Sequence, residues 1–251
     1  MKNNNYQYGF SQTHSCAVYN TQKRQQKARK MFAVLDDYYS EGLERLSLLD
    51  IGCSAGIISK ALSDKFARVA GIDIDEQAIK HARQNCASDN LAFSVSDGMN
   101  LNFADASFDI VICAHVYEHV PDAIKLMSEI YRVLKPEGVC YFAAANRLKF
   151  IEMHYKLPLL SIMPKALAHL YLRALKKGNF YYENHLTLHG LRNLVSQFNV
   201  SDYTLKIIID PQKYCATEMI APESFKQRLA ILIVKYAYWL CPTYIWLLRK
   251  D

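Results

Sequence analysis

The sequence predicts an α/β fold: a doubly wound, mostly parallel sheet with a helical insertion over its ligand edge. Three observations carry this. Short apolar runs alternate with helix-period segments across residues 46–146. The runs are continuous in Val, Ile and Phe, as strands covered on both faces must be. Glycines and acidic residues collect just after the runs, where such a sheet binds its ligands. The chain has 251 residues, 51% hydrophobic and 22% charged, which suffices for a full core and excludes disordered and fibrous classes. It is read as a single domain over 1–251.

Taken in order, residues 20–45 form an N-terminal helix that carries the basic run QKRQQKARK (22–30). LSLLDIG (46–52) is a buried strand ending in a turn, followed by Ile58, Leu62 and Phe66 at helical spacing. ARVAGIDI (67–74) is a second strand and EQAIKHARQNCA (76–87) a second helix; LAFSVSD (91–97), FDIVICA (108–114) and GVCYFAAAN (138–146) are three more strands. Before the last of these, Ile124, Met127, Ile130, Tyr131 and Leu134 mark one helix face, which Pro136 and Gly138 terminate. Residues 46–146 thus form a core, 147–185 an insertion or lid, and 186–251 a second sheet half. In the insertion, Leu167, Leu170, Tyr171 and Ala174 fall on one face of a basic stretch (165–177). A helix over 187–199, a strand over 201–210, an apolar helix over 223–240 and a closing strand over 243–250 complete seven strands.

Charge and cysteine content narrow the class. Thirty Lys and Arg against 24 Asp and Glu give a formal charge of +6. The basic run is short, has no aromatic stacking platform beside it, and reads as a solvated face, so a nucleic-acid partner is not expected. The start, MKNNNYQYGF, lacks an apolar signal core. Seven cysteines without a C-x-x-C pair argue against a zinc site or disulfide framework and suit a reducing cytoplasm; Cys113 and Cys140 read as small buried hydrophobes.

Three loops carry the chemistry. In LLDIGCSAG (48–56) Asp50 closes a strand, and Gly52 and Gly56 flank a tight turn that lets a helix N-terminus face a carboxylate. Asp73 ends the second strand, where a carboxylate can accept both hydroxyls of a ribose. Ser96, Asp97, Gly98 and Met99 follow the third strand and suit an adenine amino group beside an apolar wall.

In this order the three loops resemble the class I S-adenosylmethionine-dependent methyltransferases over about residues 46–146. The resemblance implies a Rossmann-like seven-stranded sheet with an antiparallel last strand, and S-adenosyl-L-methionine as cofactor with S-adenosyl-L-homocysteine as product. It implies that Asp50, Gly52, Cys53, Ser54 and Gly56 hold the methionine part, Asp73 the ribose, Ile74 the adenine face, and Asp97, Gly98 and Met99 the adenine end, with Ala114 closing the fourth strand against the cofactor. VYEHVPD and EIYRVLKPEG (116–122, 129–138) match the stretch after the fourth strand. Ser54 departs from the family, which often has a third glycine there. A dinucleotide-binding domain is the alternative, but it requires G-x-G-x-x-G to cradle a pyrophosphate, and residues 50–56 read D-x-G-x-x-x-G.

Transfer to a hydroxyl requires a base, and histidine is the natural one near neutral pH. His115 is the first candidate and His185 the second; Glu118 and His119 lie beside the first, and Glu183 near the second. Residues 115–119, HVYEH, also resemble the E-x-x-E-H run of quinone-pathway O-methyltransferases, which supplies metal ligands in some members. Glu118 and His119 match, but His115 replaces the first glutamate, and magnesium prefers oxygen ligands, so no metal is expected.

The acceptor is read as a small molecule, a glycan or a lipid-linked compound. The 223–240 helix is apolar nearly all round, so it is either deeply buried or in contact with lipid. The basic, tyrosine-flanked 165–177 stretch suits either a packed cap subdomain or contact with anionic headgroups, so a cytoplasmic protein is expected, with a peripheral place at the inner membrane face as the second reading. Residues 146–173 and 210–214 resemble methyltransferases of bacterial surface-glycan and lipid-linked sugar pathways. RNA or protein methylation and a non-catalytic cofactor-binding module are the competing classes.

Overall fold

A computed structural model describes residues 8–9, 11 and 18–251; Cys16 and the first seven residues lie outside the described residues. The described residues form a seven-stranded sheet of order β3-β2-β1-β4-β5-β9-β8. Its strands are β1 (Ser47–Ile51), β2 (Arg68–Asp73), β3 (Leu91–Val95), β4 (Phe108–Ala114), β5 (Leu134–Ala145), β8 (Asn199–Asp202) and β9 (Thr243–Arg249). The ladders β1–β2, β1–β4, β2–β3 and β4–β5 are parallel, while β9 pairs antiparallel with both β5 and β8. The expected architecture, antiparallel last strand included, is therefore observed. A separate hairpin, β6 (Ile151–Glu152) with β7 (Leu157–Pro158), sits in the insertion.

The period of two along each strand divides the core between the two faces. On one side Leu48, Ile110, Ile112, Val139, Tyr141, Ile245 and Leu247 pack under α1 (Thr21–Tyr39), α2 (Ile57–Ser63) and α3 (Glu76–Asn85). On the other side Leu49, Val111, Cys113, Cys140, Phe142 and Trp246 pack under α4 (Ala123–Val133) and α6 (Leu188–Leu194). Cys113 and Cys140 are fully buried in this layer, as their apolar surroundings predict. Side-chain caps fix the helix starts: Asp75 accepts from the Gln77 and Ala78 N–H groups, and Asp122 from Lys125. These caps place α3 and α4 immediately after the sheet's ligand edge.

Four expectations are corrected. The 201–210 segment does not remain extended: β8 ends at Asp202, and α7 spans Thr204–Ile209. The Asp202 carboxylate accepts from the Thr204 N–H at 2.8 Å, which starts the helix, and Ile207 and Ile208 are buried as helical neighbours in opposite core layers. Tertiary burial overrides the β preference of three consecutive isoleucines. Within α4, Ile124 is 75% exposed, and the buried face runs through Leu126, Met127, Ile130 and Val133, while Leu134 begins β5. In α5 (Lys165–Ala174) the buried residues are Ala168 and Leu172, packed with Leu157, Leu160 and Tyr181; Leu167, Leu170 and Ala174 face solvent. Finally, the apolar helix is shorter than expected, α8 (Phe225–Tyr236), and is not deeply buried. Only Gln227 and Val234 are buried, while Phe225 and Tyr236 are 81% and 83% exposed.

Candidate functional site

The strand order reverses around β1, whose neighbours β2 and β4 run parallel to it. A cavity of about 920 Å3 opens at the carboxyl ends of these strands, where such a reversal leaves a crevice. Three residues after β1 adopt left-handed backbone: Gly52 (φ +73°), Ser54 (φ +54°) and Gly56 (φ +76°). At Gly52 a Cβ would lie 2.7 Å from Val116 Cγ2, and at Gly56 one would lie 2.6 Å from the Phe93 ring. Glycine is therefore demanded at both places by space as well as by conformation. Ser54 carries the same conformation at a position where its N–H donates to Asp73 Oδ2 at 2.8 Å. The serine thus keeps the turn that the resembling family makes with glycine.

Two carboxylates face the cavity from adjacent strands. Asp50 is buried and accepts from the Ser59 hydroxyl at 2.6 Å. Burial pushes its carboxyl up to about 6, with the nearby Asp73 charge adding and Ser59 and Arg24 opposing. Asp73 accepts from Ser54 at one oxygen and from the Asp75 N–H, at 2.9 Å, on the other. The Ile74 N–H is a third donor to this carboxylate, and since a carboxylate has about four acceptor positions, capacity remains for a ligand hydroxyl. Burial raises the Asp73 carboxyl as well. Ile74, Ser96, Gly98 and Ala114 also line the cavity. Asp97 turns back on its own loop, accepting from the Met99 N–H at 2.7 Å. Cys53 is buried in the core layer beneath the turn.

The loop after β4 supplies the second group. His115 has left-handed backbone (φ +59°), with its N–H on the Ala143 carbonyl of β5 at 2.8 Å. A non-glycine residue held so costs on the order of 1–3 kcal/mol and persists only where its surroundings fix it. Here Tyr117 does the fixing: its hydroxyl donates to the Ala145 carbonyl at 2.6 Å and accepts from the Leu186 N–H. His115 Nδ1 lies 3.4 Å from Glu118 Oε1. Burial would raise the Glu118 carboxyl, but the contact with His115 and the electrostatic coupling to His115, His119 and His185 outweigh it and hold it at about 2. Its second oxygen is buried without a hydrogen-bond partner among the described residues. His119 stacks edge-on with His154, their centroids 5.1 Å apart, and burial lowers both imidazoles.

His185 stands apart. It is buried, its Nε2 is 2.9 Å from Lys149 Nζ and 3.7 Å from Glu152 Oε1, and its contact Lys149 lines the cavity while His185 itself does not. The structure therefore brings His115, Glu118 and His119 to the cavity wall beside the glycine turn, and sets His185 behind it. Among the described residues no group of three or more His, Cys, Asp or Glu is placed to hold a metal ion.

The basic run on α1 is the residue set that sequence reasoning misplaced. Arg24, Lys27 and Lys30 line the cavity. Their i, i+3, i+6 spacing with Met31 is the available signal: one helical face carries three cations and an apolar anchor. The far wall is apolar, built from Ile207, Ile208, Met219 and Ile220, and from Leu229 and Ile233 of α8.

A twisted α/β sheet with acidic residues ending β1 and β2 and a glycine turn between them defines an adenosyl-cofactor class of protein. The match to known families agrees: residues 49–142 match the family model described as a methyltransferase domain. The chain is 34% identical over 112 residues to a ubiquinone biosynthesis O-methyltransferase of Idiomarina loihiensis, covering 43% of this chain and 46% of that protein. It is 35% identical over 111 residues to the protein of the same name from Psychrobacter arcticus, covering 42% and 43%. The matched region is thus under half the length of these curated relatives. A solved S-adenosylmethionine-dependent methyltransferase of Methanosarcina mazei superposes with a TM-score of 0.51 at 19% identity, covering 85% and 96%. That last likeness concerns the fold.

Proposed function

We propose that this protein is an S-adenosylmethionine-dependent O-methyltransferase acting on a lipophilic small molecule. The observation that carries the reading is one continuous cavity, which joins the Asp50 and Asp73 carboxylates to His115 and Glu118 on one side and an apolar wall on the other. The residues present fit the cofactor. Asp73 keeps acceptor capacity for a ribose hydroxyl, the Gly52 turn leaves backbone open beside Val116, and Asp50 and Arg24 provide opposite charges for the ammonium and carboxylate of a methionine tail.

When bound, the cofactor supplies an electrophilic methyl on a good leaving group. The chain's own residues then have three tasks. The apolar wall excludes water and orients the acceptor hydroxyl. His115 accepts the hydroxyl proton, since it is the cavity-facing histidine nearest the glycine turn. Glu118, anionic and buried, holds His115 Nδ1 so that Nε2 faces the cavity and stabilises the charge that develops on the ring. His119 with His154 closes the polar end. The segment 147–185 covers this end as a lid, tied to the loop by the Asn184 N–H on the Glu118 carbonyl at 2.8 Å.

The quinone-pathway relatives support a hydroxyl on an apolar ring as acceptor, and a lipid-linked sugar would use the same apolar wall. No helix among the described residues is long and apolar enough to cross a membrane. Exposed Phe225, Leu232, Tyr236 and Trp239 are the residues through which the protein would meet a lipid surface and draw its acceptor.

The test is transfer of labelled methyl from S-adenosylmethionine into host-cell extract, followed by separation into organic, aqueous and precipitable fractions. Label in the organic phase, absent with Asp73→Ala, is expected. Label confined to precipitable material would replace this reading with protein or RNA methylation, and no transfer to any fraction despite cofactor binding would leave a binding module.

A further inference from the structure

Two lysines on the cavity wall have no role in the scheme above. Lys27 and Lys30 lie three and six residues beyond Arg24 on α1, about 4.5 and 9 Å further along the helix axis. Arg24 is the cation whose field couples to Asp50 and Asp73; the charges acting on Lys27 and Lys30 are those of other cations, Arg24 and Lys23 on the first and Lys27 on the second. Neither lysine forms an ion pair or side-chain hydrogen bond among the described residues. None of the carboxylates that line the cavity, Asp50, Asp73, Asp75 and Glu118, pairs with either lysine: Asp50 accepts from Ser59, Asp73 from Ser54 and the Asp75 N–H, Asp75 from the start of α3, and Glu118 meets His115.

Burial is a further cost. It lowers the ammonium of half-buried Lys30 to about 8, and that of Lys27 as well, although the Lys27 side chain is still exposed to solvent. Like charges held close together and partly desolvated are unfavourable unless an anion joins them. Ile207, Leu229 and Ile233 offer an apolar surface within the same cavity.

We propose that Lys27 and Lys30 bind the anionic head, a phosphate or carboxylate, of an amphipathic acceptor whose apolar body lies against Ile207, Leu229 and Ile233. This rests on the methyltransferase reading for the chemistry done on the acceptor, and names the acceptor's class within it. The charge of the lysines selects the head, the isoleucine and leucine wall selects the body, and together they fix which end of the molecule is presented to His115.

The test uses decyl phosphate below its micellar concentration as the anionic probe and decyl maltoside as the neutral one. Each is titrated into the full chain with and without S-adenosylhomocysteine. Tighter binding of decyl phosphate is expected, falling at least about tenfold in Lys27→Gln/Lys30→Gln and losing most of its salt dependence, with S-adenosylhomocysteine affinity unchanged. The melting temperature of the double variant should hold or rise, because a repulsion is removed. Equal binding of the two probes, or a double variant that binds decyl phosphate like the parent, overturns the proposal. So does an equal loss of S-adenosylhomocysteine affinity, which would assign the lysines to the cofactor's own carboxylate. Failure of S-adenosylhomocysteine to bind the parent would count against the methyltransferase reading alone, since the lysine site is judged on decyl phosphate without it.

Discussion

Residues 47–114 and residues 147–242 both border the cavity, but they are built by different means. In the first region several parts are fixed by neighbours close in the chain: Gly52 and Gly56 adopt their own left-handed turn, Asp75 caps the helix that follows it, and Asp97 accepts from Met99 two residues on, although Ser54 also reaches Asp73 on the next strand. In the second, partners arrive from far away. Asn146 donates to the carbonyls of Trp239 and Cys241, Lys149 meets His185, and Gln227 of α8 donates to the Ile208 carbonyl of α7. The local region presents a fixed backbone to an invariant ligand. The distant region presents side chains whose arrangement depends on long-range packing, which is where a variable ligand is accommodated.

The sharpest test of that division is Asp73→Ala. It should abolish methyl transfer and weaken S-adenosylhomocysteine binding by about a hundredfold, read by calorimetry, because charge-assisted hydrogen bonding to the ribose is lost. Glu118→Gln should lower kcat by ten- to a hundredfold with cofactor affinity retained, which separates the polar end from the cofactor end; equal loss of both would merge them. Gly56→Ala should cost about 2–3 kcal/mol in a urea melt, since its Cβ would meet Phe93 and Ala82 in a left-handed backbone.

A smaller effect follows from Asp50. Its carboxyl is raised to about 6 by burial, so it becomes protonated as the pH falls through that value. A cationic ligand should bind several-fold less tightly at pH 5 than at pH 7.5, and Asp50→Asn should remove the step. The same upward shift means that ionised Asp50 destabilises the fold above about pH 6, and that its protonation relieves this as the pH falls towards the unfolded value of 3.8. The smallest effect is expected on the distant side. Phe225→Ser/Tyr236→Ser should change stability by less than about 0.5 kcal/mol, because both side chains are exposed. It should nevertheless reduce co-sedimentation with phosphatidylglycerol vesicles.

The local and distant regions were also unequally legible in the sequence. The strand order and glycine turn could be read because apolar period and turn chemistry are properties of a few adjacent residues. The position of Asp50, Asp73 and His115 at the cavity could be read because they lie at strand ends. The helix of α7 was not, since Ile207 and Ile208 become helical only through the Asp202 start and burial in two core layers. Nor was the cavity role of Arg24, Lys27 and Lys30: a basic helix face looks the same in sequence whether it meets solvent or roofs a crevice. His185 failed for the same reason, as its seclusion depends on Lys149 and Glu152, more than thirty residues earlier.

The placement of β9 between β5 and β8 has a consequence for how the molecule is made. Among the described residues, strand β8 has no ladder partner but β9, and β5 has only one neighbour, β4, until residues 243–249 arrive. While the chain is being synthesised, five parallel strands can assemble as soon as they emerge, yet the sheet keeps an open, apolar edge along β5 until the last of its strands has left the ribosome. The acceptor half of the cavity, which leans on Ile245 and Thr243, cannot exist before then. A ribosome stalled shortly before residue 243 would therefore hold a nascent chain with its glycine turn and first strands already shaped, sticky along one side, and with its cavity unfinished.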